Sequence, residues 1–127
     1  MADETVRVAL VGHCGFDSWG LKRAVKKALG KGASVSQVNN ESELENGAFD
    51  LLLINRKLDG RFKAKDGIDV IRSRVQSDGG APMMLISNFE DAQARAREAG
   101  AVPGFGKNDL GSGEALERLR SALAERA

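Results

Sequence analysis

Apolar positions along this chain fall into short runs separated by glycine-rich breaks. Residues 6–12 are apolar with one basic interruption, Arg7, and predict a first strand. Gly12-His13-Cys14-Gly15 breaks that run, and Asp17 or Ser18 is the predicted cap of a following helix. Trp19, Leu21, Ala24, Val25, Ala28 and Leu29 recur at helical spacing and predict the core side of that helix, which Gly30 and Gly32 end. Residues 33–38 alternate small or apolar with polar and suit a second strand, and residues 40–44 a short acidic helix. Residues 49–55 are the clearest buried strand, continuous in Leu and Ile as the centres of parallel sheets are.

The second half repeats the alternation. Ile68, Val70, Ile71 and Val75 mark a helix stopped by Asp78-Gly79-Gly80. Residues 81–87 predict a fourth strand, with Pro82 near its start where a missing N–H is tolerated. Residues 88–99 form an alanine- and arginine-rich helix ending at Gly100, and residues 102–105 a short edge strand that Pro103 fits. Ser112 is the predicted cap of a last helix with Ala115, Leu116, Leu119, Ala122 and Leu123 as its core stripe. Five strands alternating with about five helices predict an α/β fold: a doubly wound, five-stranded parallel sheet with right-handed crossovers and helices on both faces. No repeat or low-complexity tract divides the chain, so residues 1–127 read as a single domain.

Composition narrows the function classes. A net charge of +1 gives no global reason to bind nucleic acid or a membrane surface, and a chain without tyrosine makes a poor stacking platform for bases. No apolar run approaches the ~20 residues of a membrane span, and Met1-Ala2-Asp3-Glu4 does not read as a signal peptide. The single Cys14 excludes an internal disulfide framework and fits a reducing, cytoplasmic setting. His13 beside Cys14, with no second pair elsewhere, does not make a zinc site, and both read as loop filling. Trp19 reads as core rather than as a ligand stacker. Gly12, Gly15 and Gly20 do not form the dinucleotide-binding glycine pattern, and no Walker lysine motif is present, so no cofactor is expected.

Three stretches carry a family resemblance. Asp50-Leu51-Leu52-Leu53-Ile54-Asn55, Pro82-Met83-Met84-Leu85-Ile86-Ser87, and Glu98-Ala99-Gly100-Ala101 followed by Lys107 resemble, in order and spacing, the receiver domain of bacterial two-component response regulators. The resemblance covers nearly the whole chain and implies the flavodoxin-like receiver topology, strand order 2-1-3-4-5. In that family two acidic residues after strand one help hold Mg²⁺, and an aspartate ending strand three accepts a phosphoryl group. A hydroxyl ending strand four and a lysine after strand five read the product.

Carried over position by position, the resemblance keeps the hydroxyl as Ser87 and the lysine as Lys107. The acidic pair falls on Gly12 and His13 (on His13 and Cys14 with the register shifted by one), and the acceptor position on Asn55. The proline that usually follows the lysine is Asn108, and the aromatic switch position falls on Gly104, with Phe105 next. A neutral amide is no nucleophile, and a hard divalent ion prefers carboxylate oxygens that these positions lack. The expected function is therefore that of a pseudo-receiver, a signalling module that binds a protein partner independently of phosphorylation. It is not expected to be an enzyme. Lys107 must then reach Asp17 or Asp59, hold a small anion, or stay hydrated, because an unpaired buried ammonium is costly.

The loop after Asn55 is long and carries Arg56, Lys57, Arg61, Lys63 and Lys65, a candidate basic rim for an acidic partner. The same cations also fit an ordinary solvated surface. Phe62 among them is expected to pin the loop to the body. Two rival readings stay open on sequence. An active receiver could use Asp59 or Asp50 as acceptor, although neither has a metal scaffold. A flavodoxin-like domain could bind a small ligand, but the histidine motif of cobalamin-binding domains fails at Val11 and Phe16.

Overall fold

The computed structural model describes residues 6–76 and 81–124. Five strands form one parallel sheet: β1 Arg7–Val11, β2 Ser34–Val38, β3 Leu51–Asn55, β4 Met83–Ile86 and β5 Val102–Phe105. Their order is β2-β1-β3-β4-β5, and Val8, Ala9, Leu10 and Val11 pair in register with Leu51, Leu52, Leu53 and Ile54. Five helices join them, α1 Gly15–Leu29, α2 Glu41–Asn46, α3 Gly67–Gln76, α4 Glu90–Ala99 and α5 Gly113–Ala124, with a 3₁₀ turn at Lys107–Asp109. None of the described helices is long and apolar enough to cross a membrane. The Asp78-Gly79-Gly80 stop predicted for α3 lies outside the described residues.

Side chains alternate across a strand, so a sheet covered on both faces needs apolar residues at consecutive positions. Val8 and Leu10, Leu51 and Leu53, and Met84 and Ile86 point to one face, where they meet Leu21, Val25, Ala115 and Leu119 of α1 and α5. Ala9 and Val11, Leu52 and Ile54, and Met83 and Leu85 point to the other, against Leu44, Ile71, Ala92 and Ala96 of α2, α3 and α4. These two cores account for the unbroken apolar runs in β3 and β4. The edge strand β2 reads differently because only Val38 is fully covered.

Local chemistry departs from expectation at several places. Cys14, not Asp17 or Ser18, caps α1: its Sγ accepts the Asp17 N–H at 3.5 Å. Ser112 does cap α5, accepting the Ala115 N–H at 3.1 Å. The acidic helix starts one residue later than expected, at Glu41, because Asn40 is its N-cap and accepts the Glu43 N–H. Trp19, read as core, is 62% exposed. Leu21, Ala24, Val25 and Ala28 bury the opposite side of α1, and at about 100° per residue Trp19 cannot share it.

The candidate functional site

The carboxyl ends of β1, β3, β4 and β5 converge on one edge of the sheet, where α/β folds place their ligands. A cleft of about 260 Å³ opens there, lined by Asn55, Arg56, Lys57, Ser87, Asn88, Phe89 and Lys107. Positions far apart in sequence meet here: Asn55, Ser87 and Lys107 share this cleft with the first two cations of the loop.

Asn55 and Lys107 are both already engaged. Gly12 leaves β1 with φ +74, a conformation open to glycine, and Leu58 packs so closely that a Cβ there would lie 2.6 Å from its Cδ2. The Gly12 carbonyl accepts two hydrogen bonds, from the Asp59 N–H at 2.8 Å and from Asn55 Nδ2 at 3.1 Å. Asn55 Nδ2 also donates to the Lys57 carbonyl at 2.8 Å. Both partners can only accept, so the amide nitrogen, not the oxygen, must face them. Asn55 thus ties the end of β1 to the loop after β3.

His13 follows Gly12 but does not enter the cleft. Its side chain is fully buried (0% exposed), and Nε2 donates to the Leu53 carbonyl at 3.0 Å. Nδ1 is buried without a partner. Loss of water pushes its pKa down from 6.5 to about 4, against the bond to Leu53 and the Asp17 charge, and with help from the nearby Lys107 ammonium. His13 is therefore a neutral core residue and not the loop filling that the sequence suggested.

Lys107 donates to Asp17 Oδ2 at 2.6 Å, and the two side chains are about 30% exposed. This pair holds the Asp17 carboxyl below its ordinary 3.8, against partial burial and with a smaller contribution from Cys14. Of the two carboxylates that sequence reasoning offered to Lys107, Asp17 is the one used. Replacing Lys107 with methionine should return the Asp17 titration toward 3.8 and cost about 1 kcal/mol, as for a partly exposed ion pair. Carboxyl ¹³C shifts against pH would measure it.

Ser87 is buried, and its Oγ accepts the Phe89 N–H at 3.2 Å, leaving the hydroxyl proton available to the cleft. Gln93 of α4 fixes the surrounding backbone by donating to the carbonyls of Leu85 and Ser87. Phe89 is 60% exposed under the Arg56 guanidinium, which sits 5.2 Å from the ring centre. Neither Phe89 nor Asn88 was singled out from sequence. Their only signal was adjacency to Ser87 at the end of a predicted strand.

Arg61, Lys63 and Lys65 lie beyond the cleft, where the loop runs along α2. The Arg61 N–H donates to the Asn39 carbonyl, and the Glu41 carboxylate accepts from the Lys63 and Ala64 N–H groups. Phe62 packs against the core below, as expected of a pinning residue. The five cations therefore divide into Arg56 and Lys57 at the cleft and three exposed groups farther along.

A divalent cation does not fit this donor set. Gly12 has no side chain and a doubly engaged carbonyl, His13 is turned into the core, and Asp17 is paired with Lys107. Among the described residues no three His, Cys, Asp or Glu side chains cluster closely enough to hold a metal. Arg56 and Lys57 are the cleft's remaining cations, because Lys107 is neutralised by Asp17.

Comparison with solved structures fits this architecture to a known one. A two-component response regulator of the LuxR family from Aurantimonas superposes with a TM-score of 0.75 at 24% identity, over 97% of this chain and 88% of that one. The receiver domain of a Francisella response regulator gives 0.74 at 11% identity, over 94% and 98%. The fold is a receiver fold. The signal receiver domain of a DNA-binding response regulator from Colwellia psychrerythraea agrees, with 0.71 at 14% identity over 96% and 100%. No protein-family model matches the chain, and no curated protein does either. The receiver fold here is thus clear in three dimensions at identities where sequence similarity has faded.

Proposed function

We propose that this chain is a pseudo-receiver, a signal-transduction module that uses the receiver fold to bind a protein partner without being phosphorylated. The observation that carries this reading is the Asn55 amide. At the position where the family resemblance expects a nucleophilic aspartate, an NH₂ group donates to the carbonyls of Gly12 and Lys57. The Lys107–Asp17 pair points the same way, because the lysine that would read a phosphoryl group already has an internal carboxylate. Such a module performs no catalysis and acts through its surface.

Incubation with acetyl phosphate and Mg²⁺, followed by intact-mass measurement, tests the reading. The expected result is an unmodified mass, for the wild type and for Asn55→Asp alike, since the metal carboxylates are missing in both. A phosphoryl adduct on the wild type would identify an acceptor elsewhere and overturn the proposal. Asp50 is poorly placed for that role: its carboxylate caps the Arg7 N–H at 2.8 Å, beside the start of β1 and away from the cleft. Asp59 is exposed on the loop, and a stable adduct there would be the informative alternative.

A further inference from the structure

We propose that the face of α1 around Trp19 is a docking site for an acidic, apolar segment of the partner protein, an assignment that rests on the interaction-module reading above. Trp19 is the only tryptophan in the chain, and 62% of it is exposed. The Arg23 guanidinium lies over the indole, 4.9 Å from the ring centre, within cation–π range. Beside it runs a groove of about 360 Å³, floored by Gly20, Ala24 and Leu110 and edged by Arg23 and Lys27. Leu110 packs closely on Gly20: a Cβ there would stand 3.0 Å from Leu110 Cδ1.

Charge decides what the groove takes. Asp17 is the single carboxylate of α1, and it is turned to Lys107. Lys22, Arg23 and Lys27 are all exposed on the same helix. Among the described residues, no carboxylate forms an ion pair with Arg23 or Lys27. A stacked Trp–Arg pair over an apolar floor has the composition of an interface hot spot, and the uncompensated cations favour an acidic occupant. A nucleic acid would place phosphates on the cations and a base on the indole but leave Ala24 and Leu110 uncovered, so a protein segment with carboxylates beside an aliphatic or aromatic side chain is the better complement.

Random peptides displayed on phage, selected on the full chain without acetyl phosphate, test this directly. Enriched peptides should combine Asp or Glu with Leu, Ile or Phe, and binding should shift the emission of the single indole to the blue. A fluorescein-labelled selected peptide should lose at least about tenfold in affinity with Trp19→Ala and with Arg23→Glu/Lys27→Glu. It should keep its affinity with Arg61→Glu/Lys63→Glu/Lys65→Glu. Enrichment of neutral or basic peptides, no enrichment at all, tighter binding of a single-stranded oligonucleotide, or affinity unaffected by both α1 variants would overturn the site. The interaction-module reading fails separately, if peptides bind only after acetyl phosphate leaves a covalent adduct.

Discussion

Asn55→Asp should destabilise the protein by about 2 kcal/mol at pH 7, more than Asn55→Ala does. The aspartate is the smaller chemical change and the one that restores the family's residue, so the order is diagnostic. In the wild type, Nδ2 lies 3.1 Å from the Gly12 carbonyl and 2.8 Å from that of Lys57. A carboxylate would set a negative oxygen against both acceptors. Alanine merely removes the donor, leaving Gly12 O with its second bond from the Asp59 N–H and Lys57 O at an exposed position. The deficit of the aspartate variant should shrink in acid. Facing two carbonyl oxygens, its native carboxyl is held above the unfolded value, so the penalty is absent below the unfolded value, grows between the two and is complete above the native one. Urea unfolding of the three proteins at pH 7 and pH 4 measures both effects. An aspartate variant as stable as the wild type at pH 7 would mean that the position still tolerates an acceptor's charge.

Much of the fold was legible because a parallel sheet buried on both faces leaves a plain trace. Residues 51–54 and 83–86 are apolar without interruption, and glycines such as Gly30 and Gly100, at φ +103 and +121, mark where helices end. The site was legible as a set of positions: Asn55, Ser87 and Lys107 each end or follow a strand, and parallel strands must bring those ends together. What those side chains do was less so. The two bonds of Asn55 depend on where a positive φ at Gly12 turns its carbonyl and on how the loop returns to it. His13 stood in a glycine-rich break, where polar residues read as loop, yet the chain folds it under β3. The cap of α1 was misassigned because a thiol is a weak acceptor, while Asp17, the better cap by type, is drawn to Lys107 across 90 residues.

Stability should fall by about 3 kcal/mol between pH 6.5 and pH 4 on account of His13 alone. In the unfolded chain the imidazole takes up a proton near 6.5, whereas in the native protein it resists until about 4. Over that interval the unfolded state binds more protons, so the unfolding free energy drops by about 1.4 kcal/mol for each pH unit lost. Above 6.5 the contribution is fully present, and below about 4 it changes no further. Asp17, held below its ordinary 3.8 chiefly by Lys107, adds a loss of the same sign at still lower pH. The cause for His13 is spatial: its ring is shut away from water, Nε2–H is committed to Leu53, and charging Nδ1 would bury a proton with no acceptor beside the Lys107 ammonium. His13→Gln keeps an amide donor but cannot titrate, so its urea midpoint should vary less between pH 6.5 and 4.5 than that of the wild type. His13 is the only histidine, which makes its Cε1–H resonance a direct reporter that needs no variant. A native titration midpoint near 6.5 would show a solvated ring and remove the predicted slope.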